Sequence, residues 1–245
     1  IDKVENKWEY SVNKITFNCD LVNDNSLDKI EKDFDLIIHL AANARVYDLV
    51  VDPGKAKENF IMLFNILEFA RKNKINKFIF ASSREVYGNI GIEDFKEDKA
   101  NVNNCESPYA ASKFGGEALV RSYGECYGID FIIVRFSNVY GKYDESDRVV
   151  PLFIKLVKEG KDLTVFGKDK VLDFTYIADA SDAVTKLVEN FDKCKGESYN
   201  IAYGKGYSIL EVAELIKKNL GKKNKINIED SRAGEVIRYV GNIDK

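Results

Sequence analysis

A mainly parallel β-sheet flanked by helices is the fold class that this sequence predicts. Segments with strand and helix patterns alternate through the first 190 residues, without internal repeats or low-complexity stretches. Short apolar runs bounded by polar turns indicate buried strands at 34–40, 77–81 and 129–136. With 245 residues, the chain can bury a sizeable core in one intertwined unit or in two lobes.

Two helices carry start signals in the sequence. Asp52 and Pro53 predict an N-cap and a first helical residue. Ser208 and Glu211 form the pattern of a capping box that opens a helix over 212–220. A further helix is expected over 152–158, directly after a proline.

Composition excludes several function classes. A net charge of −3 and an isoelectric point near 5.5 give no reason to expect nucleic acid or membrane partners. The sequence contains no run of 18 apolar residues, so no membrane-spanning helix is expected. The four cysteines lack C-x-x-C spacing and His39 is the single histidine, so no metal site is expected. No G-x-S-x-G elbow is present, which argues against a hydrolase.

A tyrosine and a lysine lie four residues apart in the segment S-P-Y-A-A-S-K, at Tyr109 and Lys113. The segment predicts the start of a helix, where this spacing puts both side chains on one face. An ammonium beside a phenol favours the phenolate, so Tyr109 is a candidate general acid/base. Because Y-x-x-x-K alone also fits an ordinary surface helix, the neighbouring motifs decide the interpretation.

Small polar or apolar residues follow two of the predicted strands. The strand over 77–81 ends in Ser82 and Ser83, and the strand over 34–40 runs into Ala41 and Ala42. In open α/β sheets ligands bind at the carboxyl ends of strands, so Ser83 is placed where chemistry would occur. Small side chains at the end of the other strand would let a flat cofactor approach the backbone.

Five motifs follow one another in a fixed order: D-L at 20–21, H-L-A-A at 39–42, S-S-x-x-V-Y-G at 82–88, Y-x-x-x-K at 109–113 and R-x-x-N-V-Y-G at 135–141. In this order they resemble the extended short-chain dehydrogenase/reductases, specifically the nucleotide-sugar epimerases and dehydratases. The resemblance runs from Ile1 to Lys245. It implies a Rossmann-like doubly wound parallel sheet with a smaller C-terminal substrate lobe, and NAD as the cofactor.

The resemblance also implies site residues. Ser83, Tyr109 and Lys113 match the catalytic trio, and Lys113 also touches the nicotinamide ribose in the family. The positions that match cofactor-binding residues are Asp2, Asp20, Leu21, Leu40, Ala41, Ala42, Asn59, Ser82, Tyr109 and Lys113. The positions that match substrate-binding residues are Ser83, Arg84, Glu85, Asn138, Arg148 and Arg232.

Arg232 stands in a match to the family motif R-x-G-[DE] and is the expected diphosphate ligand, because its planar fork donates two parallel hydrogen bonds. The family usually has another arginine before Asp173, where this chain has Leu172. Either Arg148 compensates for that loss or the nucleotide sugar binds differently.

No strand followed by G-x-x-G-x-x-G precedes these motifs, although the family binds the cofactor pyrophosphate there. Ile1 and Asp2 resemble the end of the family's second strand, so we expect an incomplete chain that lacks the first strand-helix unit and a last helix. Gly204 and Gly206 are the one internal candidate for such a glycine loop, but the third glycine of the motif is missing. An ordinary loop that leads into the helix capped by Ser208 is therefore favoured there.

The resemblance divides the chain into an incomplete NAD-binding domain over 1–145 and a mainly substrate-binding lobe over 146–245, with 170–190 returning to the first. The implied function is a nucleotide-sugar 4-epimerase that acts on a UDP-hexose through a transient 4-keto sugar, in a cytoplasmic homodimer. A dehydratase, a UDP-glucuronate decarboxylase or epimerase, and a non-catalytic binding protein that lacks the cofactor loop are the alternatives. Family dehydratases carry an acidic pair directly after the catalytic hydroxyl residue, where this chain has Arg84 and Glu85.

Overall fold

The computed structural model describes residues 1–91, 93–232 and 234–245, without the side chain of Asp24. In this part of the chain the strands are β1 (Ile37–His39), β2 (Lys77–Ser83), β3 (Asp130–Phe136), β4 (Asn138–Tyr140), β5 (Leu163–Phe166), β6 (Val171–Tyr176), β7 (Ser198–Ile201), β8 (Gly206–Ser208), β9 (Ile226–Glu229) and β10 (Arg238–Tyr239). The helices are α1 (Tyr10–Asn13), α2 (Val46–Val51), α3 (Gly54–Lys72), α4 (Pro108–Tyr127), α5 (Val149–Lys158), α6 (Ile177–Glu189), α7 (Phe191–Cys194) and α8 (Ile209–Leu220).

The main sheet is parallel throughout, in the order β1-β2-β3-β7. This confirms the predicted parallel α/β architecture. Side chains alternate across β2, so Phe78 and Phe80 join the core beneath α3 and α4, whereas Ile79 joins the core beneath α6. The two faces are therefore covered by helices, and the carboxyl ends of β2 and β3 stay adjacent at Ser83 and Phe136.

The strand predicted as buried over 34–40 is shorter and more exposed than expected. Among the described residues, Ile37–His39 pairs with β2 and with no other strand. Ile38 is 39% exposed and Leu40 is 61% exposed. The apolar run thus predicted the position of the strand correctly.

The C-terminal part builds a second layer beside this sheet. Strand β6 pairs with β4, β10 and β8, and β5 pairs separately with β9. Helices α5 and α8 pack on these strands around a third apolar core. Helix α6 (177–189) packs on the main sheet, which agrees with the expectation that residues 170–190 rejoin the first domain. Strand β7 also joins the main sheet, although it lies outside that range. The division into two domains stays a prediction.

The helix starts follow the signals in the sequence, with small shifts. Ser208 and Glu211 form the predicted capping box, although α8 already begins at Ile209. Helix α3 begins one residue later than predicted, and the Asp52 carboxylate accepts a hydrogen bond from the amide of Gly54. Helix α5 begins three residues before the predicted 152, because a proline is tolerated within the first turn.

Within the described residues, no helix combines the length and the apolar character needed to cross a membrane.

Close contact between α4 and β2 depends on a glycine. A Cβ atom at Gly116 would lie 2.7 Å from the Phe80 ring and 3.1 Å from Leu63, and both of those side chains are buried. We expect Gly116→Val to lower the free energy of unfolding by about 1–3 kcal/mol through overpacking. Ala118→Val puts the same side chain on an exposed position of the same helix, so denaturant unfolding of the two variants isolates the packing cost. Equal stabilities would contradict the close contact.

Candidate active site

A cavity of about 1060 Å³ opens where β2 and β3 end. Its floor is formed by residues that follow these strands, and its walls come from both parts of the chain. The sequence-predicted residues that line it are Leu40, Ala42, Ser82, Ser83, Arg84, Glu85, Tyr109, Lys113, Asn138, Arg148 and Arg232. The fold thus brings most of the predicted site together at the carboxyl edge of the sheet, where α/β proteins bind ligands.

Ser83, Tyr109 and Lys113 are buried side by side at the floor of the cavity. Ser83 ends β2, its hydroxyl accepts from the Glu85 amide, and it lies close enough to the Tyr109 phenol to lower the pKa of that group. Ser107 caps α4 by accepting from the Ala110 amide, which starts the helix directly before Tyr109. Lys113 lies one turn further on and donates to the carbonyl of Ala81 at 2.7 Å.

Burial sets the protonation of this group. It raises the pKa of Tyr109 above its ordinary value, against the lowering effects of the Ser83 hydrogen bond and of Arg148 and Arg84, while Glu85 adds to the rise. Burial also lowers the pKa of Lys113 from 10.5 to about 8. The expected phenolate-favouring effect of Lys113 is therefore outweighed, because a low-dielectric site disfavours both charged forms.

A buried ion pair fixes α4 against the strand ends. Glu117 accepts two hydrogen bonds from Arg135 of β3, at 2.9 and 2.8 Å, and one from the Ser82 hydroxyl at 2.5 Å. Arg135 also donates to the Tyr87 hydroxyl and to the Glu97 carbonyl. Glu117 lies one turn after Lys113. The same face of α4 therefore carries Glu117, which fixes the helix to β3, and the predicted catalytic residues Tyr109 and Lys113.

A second charged group lies beside Ser83. Arg84 and Glu85 form an ion pair at 2.8 Å, and both side chains are more than nine-tenths buried. Lys170 and Glu235 form another pair at 2.7 Å on the same cavity wall. Burial raises the pKa of the Glu85 carboxyl, although the Arg84 and Lys170 cations lower it.

The wall from the C-terminal part contributes aromatic and basic side chains. The Arg232 guanidinium stacks 4.0 Å from the centre of the Phe166 ring and 5.3 Å from that of Tyr47. Arg148 is the exposed residue that precedes α5, and Asn138 donates to the Asp173 carbonyl at 2.8 Å. Arg232 thus offers a cation to an anionic ligand, and Ala233 of its motif lies outside the described residues.

Five predicted cofactor residues lie apart from the lining of this cavity. Asp2 accepts a hydrogen bond from the Val4 amide, and Asp20 pairs with Lys3 at 2.6 Å. Leu21 is buried in the main core, and Ala41 is exposed. Asn59 clamps the backbone of Asn43 in both directions, which holds the segment after β1 against α3. The cofactor roles of these five residues stay predictions.

Lys170 and Tyr47 line the cavity but were not predicted from the sequence. A signal for Lys170 exists: it stands two residues before Leu172 at the start of an extended strand, so the two side chains share one face. Tyr47 lies in the six-residue helix α2, which is too short to show a helical period.

Comparisons with known proteins agree with this geometry. The family model described as "NAD dependent epimerase/dehydratase family" matches residues 2–202. A protein of Methanocaldococcus jannaschii without an assigned activity is 35% identical over 218 residues, which are 88% of this chain and 66% of that protein. A putative UDP-glucose 4-epimerase of the same organism is 33% identical over 235 residues, which are 93% of this chain and 75% of that one.

Among solved structures, the UDP-glucose 4-epimerase of Thermus thermophilus in complex with NAD matches with a TM-score of 0.85 at 28% identity, over 92% of this chain and 75% of that chain. The chain therefore spans about two thirds to three quarters of the length of these relatives. The match supports the Rossmann-like fold that the motifs imply.

The pKa of Lys113 has a consequence for stability. Because the unfolded chain binds this proton more tightly, the charge destabilises the fold below about pH 8, and the penalty disappears as the pH rises to 10.5. In the cofactor-free protein, Lys113→Met should raise the free energy of unfolding at pH 7 by at most about 3 kcal/mol. The lost hydrogen bond to Ala81 should reduce this gain by about 1 kcal/mol. The gain should vanish at pH 10.5.

Urea unfolding at both pH values measures this difference. Exposed Lys158 on α5 supplies the control, since Lys158→Met should change stability little at either pH. A gain from Lys113→Met that is the same at both pH values would contradict the assigned pKa.

The Glu117–Arg135 pair should be costly to break. Glu117→Ala leaves the Arg135 guanidinium buried without its carboxylate, and we expect a loss of about 3–5 kcal/mol in the free energy of unfolding. The control is Asp182→Ala, which removes the partner of Lys186 from a pair whose side chains are 62% and 69% exposed. That control should change stability by under about 1 kcal/mol. Similar losses in both variants would contradict the anchoring role of Glu117.

Proposed function

Because the chain belongs to the NAD-dependent epimerase/dehydratase family, we propose that the protein is a nucleotide-sugar 4-epimerase that works with NAD and a UDP-hexose. The observation that carries this proposal is that Ser83, Tyr109 and Lys113 are all buried and line one cavity at the carboxyl edge of the sheet. The complete trio argues against a non-catalytic binding protein.

The residues present fit a nicotinamide cofactor. Ala42 and Ala81 leave space at the cavity wall, and the Lys113 ammonium uses one donor on the Ala81 carbonyl, which leaves donors for ribose hydroxyls. A volume of about 1060 Å³ exceeds what one drug-sized ligand usually needs. When bound, NAD supplies a reversible hydride acceptor.

Side chains of this protein transfer the proton of the sugar 4-hydroxyl. Because burial raises the pKa of Tyr109, its phenol must first lose its own proton; the phenolate then takes the proton from the sugar 4-hydroxyl and later returns it, while Ser83 hydrogen-bonds to the same oxygen. Lys113 stays charged at neutral pH with a pKa of about 8 and stabilises the phenolate when it forms. Burial of the trio excludes water and keeps the base oriented.

The surroundings of Ser83 favour epimerisation over dehydration. Dehydration needs one group to protonate the leaving hydroxyl and another to take the C5 proton. Next to Ser83 the chain offers Glu85 alone, tied to Arg84, whose guanidinium does not release its proton. Glu235, a further carboxyl that lines the cavity, is paired with Lys170.

Arg232 is the proposed diphosphate ligand, and Arg148 and Lys170 are the cations that we propose to compensate for the missing arginine at Leu172, since they line the same cavity. A homodimer and a cytoplasmic location follow from the family resemblance alone and stay predictions.

Products identify the reaction. We expect the full-length protein to convert UDP-glucose to its C4 epimer, with NMR of reactions on UDP-glucose, dTDP-glucose and UDP-glucuronate as the measurement. Tyr109→Phe should keep sugar-nucleotide binding and lose turnover by ~10² or more. Tyr127→Phe, at the exposed end of the same helix, should keep full turnover. A 4-keto-6-deoxy sugar or released carbon dioxide as the main product would overturn the epimerase assignment.

A further inference from the structure

Arg84 is a buried cation whose hydrogen-bonding capacity is only partly used. Its Nη2 forms an ion pair with Glu85 at 2.8 Å, and its guanidinium lies 5.8 Å from the centre of the Tyr239 ring. Its Nη1 is shielded from solvent and has no hydrogen-bond partner. Among the described residues, the one other buried side-chain nitrogen or oxygen without a hydrogen-bond partner is Nε of Arg238. Arg238 does not line the cavity.

A buried donor without an acceptor is costly, and charged donors are the costliest, so native structures rarely keep one without a reason. Arg84 follows Ser83 directly in the chain and lines the same cavity. A molecule held at Ser83 and Tyr109 is therefore placed next to Arg84. No described protein group satisfies Nη1. Because Nη1 is shielded from the open cavity, a ligand oxygen would reach it after a small rotation of the Arg84 side chain, and such an oxygen would supply the missing acceptor.

The local charge indicates what kind of acceptor fits. Arg84 and Lys170 are balanced by Glu85 and Glu235, so this wall has no net charge when all four are ionised. A carboxylate brought to Arg84 would lie beside the Glu85 carboxylate, and like charges that close repel strongly. An uncharged oxygen adds a hydrogen bond without that repulsion.

We propose that Arg84 is a specificity-determining residue that reads the sugar, donating from Nη1 to an uncharged oxygen of the hexose, either a hydroxyl or an acetamido carbonyl. Glu85 holds the guanidinium in place and disfavours a hexuronate. This inference rests on the proposed nucleotide-sugar function, and it goes further by naming a neutral hexose or N-acetylhexosamine as the substrate class.

Calorimetric titration of the full-length protein with UDP, UDP-glucose, UDP-N-acetylglucosamine and UDP-glucuronate tests it. The double variant Arg84→Gln/Glu85→Gln removes both charges together, so neither is left buried alone. We expect its affinity for the neutral sugar nucleotides to fall about tenfold or more, with UDP binding unchanged. A loss confined to UDP-N-acetylglucosamine identifies the acetamido carbonyl, and an equal loss for both sugars identifies a hydroxyl.

Two further variants separate sugar recognition from general disruption. Glu85→Gln keeps Arg84 and should strengthen UDP-glucuronate binding severalfold relative to the binding of neutral sugars. Arg238→Gln alters the other incompletely bonded arginine and should change no affinity.

Unchanged UDP-glucose and UDP-N-acetylglucosamine binding in the double variant, with UDP still bound, would overturn the role of Arg84 and leave the epimerase proposal standing. Tighter wild-type binding of UDP-glucuronate than of UDP-glucose would overturn the neutral-sugar assignment. Failure of the wild-type protein to bind UDP at all would overturn the proposed function together with this inference.

Discussion

The ion pair between Glu117 and Arg135 is the interaction on which the geometry of the site depends. It joins α4 to β3, and through the Ser82 hydroxyl it also joins α4 to the end of β2. Tyr109, Lys113 and Glu117 are spaced by four residues, so fixing one end of this helix face fixes the other two. The anchor lies where the strands end, and the sugar chemistry proposed for Ser83 and Tyr109 needs alignment at that same place.

Two apolar cores support this polar centre. The sheet is covered by α3 and α4 on one face and by α6 on the other, so β2 and β3 form a stiff platform. On that platform the protein buries Lys113, Glu85 and Arg84 with few compensating groups. The raised pKa of Tyr109 and the lowered pKa of Lys113 are two results of the same desolvation. Stability and reactivity are thus set against each other within one cluster.

Local signals made the centre of the fold predictable from the sequence. The strand-turn over 77–88 and the helix start at Ser107 depend on near neighbours, and both lie as predicted. The exposure of β1 was not predictable, because it depends on how many strands flank it. The pairing of Lys170 with Glu235 joins residues 65 apart in sequence, and no local pattern reports such a contact. The direction of the Tyr109 pKa also required the depth of burial, which a motif does not contain.

The path of the chain limits how this cavity can move. After β3 the chain leaves the main sheet, builds β4, β5 and β6 with their helices, and then returns to pair with β3 again as β7. The wall that carries Phe166 is consequently attached to the platform on both sides of its sequence, not by a single linker. Any hinge motion between the two parts would therefore have to bend more than one crossing of the chain. Such a motion would move the wall at Phe166 and the strand β7 beside β3 together, so the shape of the pocket is coupled to the main sheet.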